Sequence, residues 1–221
     1  MFHHQQFSKD LKIQKFNYLN QGIVDRQLID QHIQALAKVD LSQLSNTAEK
    51  TAFWINVYNG VTNYWVIEKQ IKKSMLEKPL LVMVTKLTIG GYKMTLDDIE
   101  HGILRSNRRS TYKLWKQFSK RDPRLQLIVP KVDYRIHFAL NCGAVSCPAV
   151  AFYDAAQLND QLNTAEESFV EQEFLVDDAN KTIACSKIFW LYKKDFDKIY
   201  INDPKYAQYK LNYRKYDFSV Q

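Results

Sequence analysis

Phe53-Trp54-Ile55-Asn56-Val57-Tyr58-Asn59-Gly60-Val61-Thr62-Asn63-Tyr64-Trp65 is the stretch whose reading decides the architecture. Upstream of it, Asn46 and Glu49 stand at the three-residue offset of a helix N-terminal cap, so the spacing predicts a long helix opening there and running to about Glu68. Its aliphatic and aromatic residues fall on nearly every side, the pattern of a buried helix rather than one with a wet face. Asn56, Asn59 and Asn63 run down it as one polar stripe. Buried amides must find partners, so the stripe either locks the helix to neighbouring backbone or lines the floor of a cleft.

Other elements assemble outward from this helix. From Asp25, Leu28, His32, Ile33 and Leu36 recur at helical spacing. Lys86-Leu87-Thr88-Ile89 and Tyr92-Lys93-Met94-Thr95 flank Gly90-Gly91, a two-residue hairpin signal. Thr95, with Asp98 three residues on, caps a short helix from Leu96 to Arg105. Arg135 to Asn141 reads as a strand, with Ile136, Phe138 and Leu140 on one face and His137, Ala139 and Asn141 on the other. Leu158, Leu162, Ala165 and Phe169 give an amphipathic helix after Asp154. Ile183 to Tyr192 fits a strand or a short helix equally well. No repeat and no Gly/Ser/Pro-rich linker divides the chain. The expectation is one α+β domain over 1–221, a helical N-terminal part packed on a small mixed or antiparallel sheet.

Composition narrows the class. Only 6 glycines and 5 prolines stand among 221 residues, which argues for long helices over many tight hairpins, and a 46% hydrophobic share suffices for a sizeable core. No run approaches the roughly 20 consecutive apolar residues of a membrane span. Met1 to Gln6 lacks a charged-then-apolar signal pattern, so a cytoplasmic location is expected. Cys142, Cys147 and Cys185 accordingly read as thiols. Charge is concentrated in residues 105–124. There, Arg105, Arg108, Arg109, Lys113, Lys116, Lys120, Arg121 and Arg124 face a single Asp122, a surplus equal to the whole +7 of the chain. This segment is a docking patch for an anionic partner or, more simply, a solvated loop with Tyr112, Trp115 and Phe118 turned inward. No P-loop, dinucleotide fingerprint, zinc finger or RNA-recognition signature accompanies it, so neither a cofactor nor nucleic acid is expected.

Candidate chemistry gathers in two places. On the short helix, Leu96, Ile99, Ile103 and Leu104 form the apolar face and Glu100 falls between the last two. A carboxylate so placed is partly buried, and therefore paired or raised in pKa. His101 stands beside it. The second place is Arg135-Ile136-His137-Phe138-Ala139-Leu140-Asn141-Cys142-Gly143-Ala144-Val145-Ser146-Cys147-Pro148. Gly143 invites a turn just past the expected strand, next to Cys142. Cys147 precedes Pro148 as a cap residue precedes proline at the first helical position, where a thiol is made more acidic. Either cysteine is otherwise a small buried hydrophobe. His137, Cys142 and Cys147 at four-residue gaps also suit three zinc ligands, a third reading.

These motifs resemble the domain-of-unknown-function family numbered 547. The residues that carry the resemblance are Phe53 to Asn59, Leu96 to Arg105 and Arg135 to Pro148, in that order. It extends from about Val24 to Phe196, taking in Asp122-Pro123-Arg124, Ile188-Phe189 and Tyr192-Lys193-Lys194-Asp195-Phe196. The family pattern places a Trp directly before that Tyr; here Leu191 stands there and Trp190 one residue earlier. The resemblance implies no established activity. It does imply a remote likeness to papain-like and transglutaminase-like folds, in which a thiol, a histidine and an acid or amide act together. In those folds the cysteine opens the central helix. The helix around Trp54 to Asn59 has none, so either the thiol has moved to Cys142 or Cys147 or the domain is an inactive scaffold. The family's company with redox or signalling domains in some proteins implies an interaction role.

The leading expectation is a thiol-dependent hydrolase or acyl transferase acting on an amide or thioester of a small molecule or peptide. Its catalytic candidates are Cys142 (favoured), Cys147, His137, His101, Glu100 and, as an oxyanion donor, Asn56. Tyr58, Asn59, Asn141, Arg105, Arg108 and Arg109 are candidate binding residues. The alternative is a non-catalytic module that docks an acidic partner through residues 105–124.

Overall fold

Three helices open the chain: α1 (His4–Gln21), α2 (Arg26–Ala37) and α3 (Thr47–Glu68). The computed structural model describes residues 2–110 and 112–220. Asn46 caps α3 as its spacing predicts, its side-chain oxygen accepting from the Glu49 N–H at 3.0 Å. Every residue from Thr51 to Asn63 is buried, so α3 is the axis of the main core. Asp25 caps α2 in the same manner, accepting from the Leu28 N–H at 3.0 Å. Helix α1, which the sequence did not announce, lies along α3. A Cβ at Gly60 would stand 2.3 Å from the Phe7 ring, so glycine is what lets the two helices approach. The buried face of α1 mixes Phe7 and Leu11 with Ser8, Gln14 and Lys15, which leaves no apolar stripe to read.

A short helix α4 (Leu81–Val84) precedes the hairpin of β1 (Leu87–Ile89) and β2 (Tyr92–Met94). Leu87 pairs with Met94 and Ile89 with Tyr92, and Gly90 and Gly91 take φ of 52° and 81° between them. Both turn residues therefore occupy the left-handed region that the hairpin turn requires. Thr95 and Asp98 then cap each other's backbone N–H at 3.0 Å. The helix they open is wider than the spacing suggested. Asp98–Leu104 is π-helical, with Arg105 N–H bonded to the Glu100 carbonyl at 2.8 Å and Asn107 N–H to that of Gly102 at 2.9 Å. Gly102 backs directly onto Phe118, whose ring a Cβ would meet at 2.3 Å.

The strand expected over Arg135 to Asn141 is a 3-10 turn instead, Tyr134–Phe138, capped by Asp133 through the Arg135 N–H at 3.0 Å. The alternation that suggested a strand has a different cause. Ile136, Ala139 and Leu140 enter the main core, while Phe138 enters a second apolar cluster with Phe169, Ile183, Phe189 and Phe196. The segment is a seam between two clusters, buried on both sides, and His137 sits in that seam.

After it come α5 (Leu158–Glu173), β3 (Phe174–Asp177), β4 (Thr182–Cys185), α6 (Lys187–Leu191) and β5 (Lys210–Tyr213). The strands form one mixed sheet in the order β3-β4-β5, antiparallel and then parallel. Residues 183–192, which fitted strand or helix, hold both. The whole is an α+β fold with a separate two-stranded hairpin. Among the described residues no helix is long and apolar enough to cross a membrane.

Candidate active site

A cavity of about 480 Å³ opens between α3, α4, the π-helical segment, the loop after Phe138, α6 and the C-terminal residues Tyr216 and Phe218. Six residues singled out by sequence line it: Tyr58, Glu100, His101, His137, Cys142 and Cys147. Asn56, Asn59, Asn141, Arg105, Arg108 and Arg109 do not; Arg109 donates instead to the Leu114 carbonyl at 3.1 Å.

Two members of the asparagine stripe lock backbone; the third, Asn63, is buried with its Nδ2 unpartnered among the described residues. Asn56 donates to the Tyr153 carbonyl at 2.7 Å and accepts from the Tyr153 N–H at 3.0 Å. Asn59 donates to the Ala139 carbonyl at 3.0 Å and accepts from the Asn141 N–H at 2.9 Å. Asn141 in turn accepts from the Gly143 N–H and donates to the Pro148 carbonyl, both at 2.7 Å. This chain of amides carries the rigidity of α3 into the loop that bears both cysteines. The Asn56 amide is fully engaged there and is not an oxyanion donor at this cavity.

Between the cysteines, Gly143 takes φ +95°, and a Cβ would meet the Met75 sulfur at 2.9 Å. The turn brings the two sulfurs to 2.8 Å of each other. The Cys142 N–H donates to the Cys147 sulfur at 3.2 Å, and the Tyr216 hydroxyl reaches it at 3.1 Å. Burial would push the Cys147 thiol up. Hydrogen bonds from Cys142, Tyr216 and the backbone of Cys142 and Ala144 bring it down to about 7. Cys142, hydrogen-bonded to that sulfur and partly shielded from water, is pushed well above its ordinary value. No helix begins at Pro148; backbone and hydroxyl donors, not a helix dipole, favour the Cys147 thiolate. The same electrostatics make Cys147 the more acidic of the two thiols, where the sequence favoured Cys142 as the reactive one.

His137 donates from Nε2 to Asp195 Oδ2 at 2.8 Å, and its ring stacks on Tyr192 with centroids 3.7 Å apart. Nδ1 makes no hydrogen bond among the described residues. Burial lowers the His137 pKa against the opposing pull of Asp195, so the ring is neutral at neutral pH with Nδ1 free to take a proton. Burial would raise Asp195, but His137 and Arg105 hold it well below the carboxylate range. Arg105 binds it through Nε at 2.6 Å and a terminal nitrogen at 3.1 Å, and Arg108 adds a third contact at 2.5 Å.

Glu100 is buried as the helical projection indicated, but its partners are hydroxyls: Tyr58 at 3.1 Å and, more closely, Tyr192. Burial opposes its charge; the Tyr192 hydroxyl and the Arg105 guanidinium favour it, and its pKa lies below the ordinary carboxylate value. His101 accepts from Arg105 at Nδ1 (2.7 Å) and faces Asp97 through Nε2 at 3.4 Å, and burial keeps it neutral.

Much of the basic segment is therefore internal wiring. Arg105 and Arg108 bind Asp195, Lys113 binds Asp97, and Arg124 binds Asp98 at 2.9 Å and Asp122 at 2.8 Å. Phe118 turns inward as expected, but Trp115 is 67% and Tyr112 51% exposed. Among the described residues no group of three or more His, Cys, Asp or Glu is placed to hold a metal ion. Sequence reasoning assigned no role to Asp195, Tyr192 or Tyr216. The first two stand in a motif it quoted; Tyr216 carried no signal.

Residues 41–170 match the family described as protein of unknown function, DUF547. No curated protein and no solved structure matches the chain.

Proposed function

The chain belongs to the DUF547 family, and from its site we propose a thiol-dependent hydrolase or acyl transferase acting on an amide or thioester. One observation carries the reading: an acidic thiol, a neutral histidine held by a buried aspartate, and a buried glutamate all border one cavity. Cys147 is the nucleophile. Its sulfur attacks the substrate carbonyl as the thiol proton passes to His137 Nδ1, and the leaving amine or thiol departs with that proton. Water or an acceptor then gives its proton to His137 Nδ1 and takes the acyl group from sulfur. Asp195 fixes the tautomer, and the stacked Tyr192 fixes the ring plane. Val82, Met83, Leu140 and Leu191 give the cavity an apolar wall suited to the acyl part of the substrate. The grouping resembles the sets of thiol, histidine and acid or amide in papain-like and transglutaminase-like folds, with the thiol supplied by a loop instead of the central helix.

A chromogenic acyl ester, p-nitrophenyl acetate, tests this. The expected result is acetyl on Cys147 by peptide mass, with a slower discharge in His137→Ala. Absence of any Cys147 adduct would refute it. A second reading, a module docking an acidic partner, draws support from Leu114 and Trp115, 83% and 67% exposed beside Lys116. Salt-sensitive binding of the chain to a polyanion without acylation would favour it.

A further inference from the structure

The contact between Cys142 and Cys147 has a chemistry of its own. Both sulfurs border the cavity, 2.8 Å apart, and the Tyr216 hydroxyl reaches both, at 3.6 and 3.1 Å. We infer that the pair is a two-electron dithiol–disulfide centre whose co-reactant is a low-molecular-weight disulfide admitted to the cavity. It shares its sulfur with the nucleophile proposed above but requires no acyl step.

The exchange balances with the groups present. The Cys147 thiolate attacks one sulfur of the disulfide RSSR, forming a mixed disulfide and expelling RS⁻. The Cys142 thiol then attacks the Cys147 sulfur, a second RS⁻ leaves, and the Cys142 proton ends on a released thiolate. The chain loses two electrons and RSSR gains them, giving two RSH once the other thiolate is protonated from water. The order of attack follows from the unequal thiols, Cys147 lowered and Cys142 raised.

Three features of the fold serve this reaction. Gly143 at φ +95° makes the turn that faces one sulfur onto the other. The amide chain from Asn59 through Asn141 pins both ends of the loop, so closing the bond needs little loop ordering. The C-terminal segment clasps the same loop: Val145 N–H donates to the Ser219 carbonyl at 2.8 Å and Asp217 N–H to Ser146 Oγ at 2.7 Å, which holds Tyr216 over the sulfurs. Cys185, buried in β4 and pushed up to about 11, is the internal control.

The test uses oxidised glutathione in excess over the full chain, followed by acid quench, alkylation and peptide mapping. The expected product is lighter by two hydrogens, carries a Cys142–Cys147 link and leaves Cys185 free. Cys142→Ser should hold glutathione on Cys147 as a lasting mixed disulfide, and Cys147→Ser should react roughly tenfold more slowly or worse. Three free thiols after treatment, glutathione persisting on the unmodified chain, or a bond from either residue to Cys185 or a second chain would each overturn the inference. Acylation by the ester is read separately, so a chain that forms the link but never the acetyl adduct keeps this centre and loses the hydrolase reading.

Discussion

His137 and Asp195 stand 58 positions apart in the chain, yet Nε2 of the one donates to Oδ2 of the other at 2.8 Å in the buried seam between the two apolar clusters. Asp195 also anchors Arg105 and Arg108. Its removal therefore strands a buried guanidinium as well as the imidazole. Asp195→Asn should cost about 3–5 kcal/mol in urea unfolding, the range for breaking a buried ion pair. A loss within experimental error would show that this network does not hold the site.

Glu100 receives two tyrosine hydroxyls in a buried position. Glu100→Gln keeps an acceptor and should cost least. Glu100→Leu fills the space but leaves both hydroxyls unpaired, and Glu100→Ala does so around a cavity, at about 3 kcal/mol or more. Thermal melts of the three variants give the order; a neutral Glu100→Ala would remove the acid from the site.

Gly102 permits the π-helical segment to rest on Phe118. Gly102→Ala should destabilise by about 1–3 kcal/mol through overpacking. It should also slow acylation of Cys147 by displacing the neighbouring Glu100 and His101. An unchanged melt and unchanged labelling would contradict this.

His101 and His137 are both held below their ordinary value of 6.5 by burial. The unfolded chain therefore takes up more protons than the folded one as pH falls through that value. Their stabilising contribution is complete above it and is lost progressively toward the lower folded values. The urea midpoint should fall between pH 7.5 and pH 5.5, and His137→Gln should flatten that fall. An equal fall in both proteins would assign the pH dependence elsewhere.

Legibility in the sequence tracked distance along the chain. The caps at Asp25, Asn46 and Thr95 and the Gly90-Gly91 turn are local, and each element they announce is present. The burial of Glu100 followed from helical projection, since a π-turn keeps it inside. The strand over 135–141 failed because a segment buried between two clusters mimics the pattern of one buried on a single face. Pro148 pointed to Cys147 for a reason the fold does not use: the donors are the adjacent backbone and Tyr216, 69 residues away. Charge counting over 105–124 missed that Arg105, Arg108 and Lys113 have buried carboxylate partners, Asp195 serving both arginines and Asp97 the lysine. Long-range pairings of this kind leave no periodic trace.

The central claim is that Cys147 is a thiolate poised at the cavity, and the pH dependence of iodoacetamide labelling tests it most directly, read for each cysteine by peptide mass. Cys147 should label with a midpoint near pH 7, well ahead of Cys142 and Cys185, and Tyr216→Phe should move that midpoint upward. If all three cysteines stay inert until the chain is denatured, or if Cys142 labels first, the account of the site is wrong.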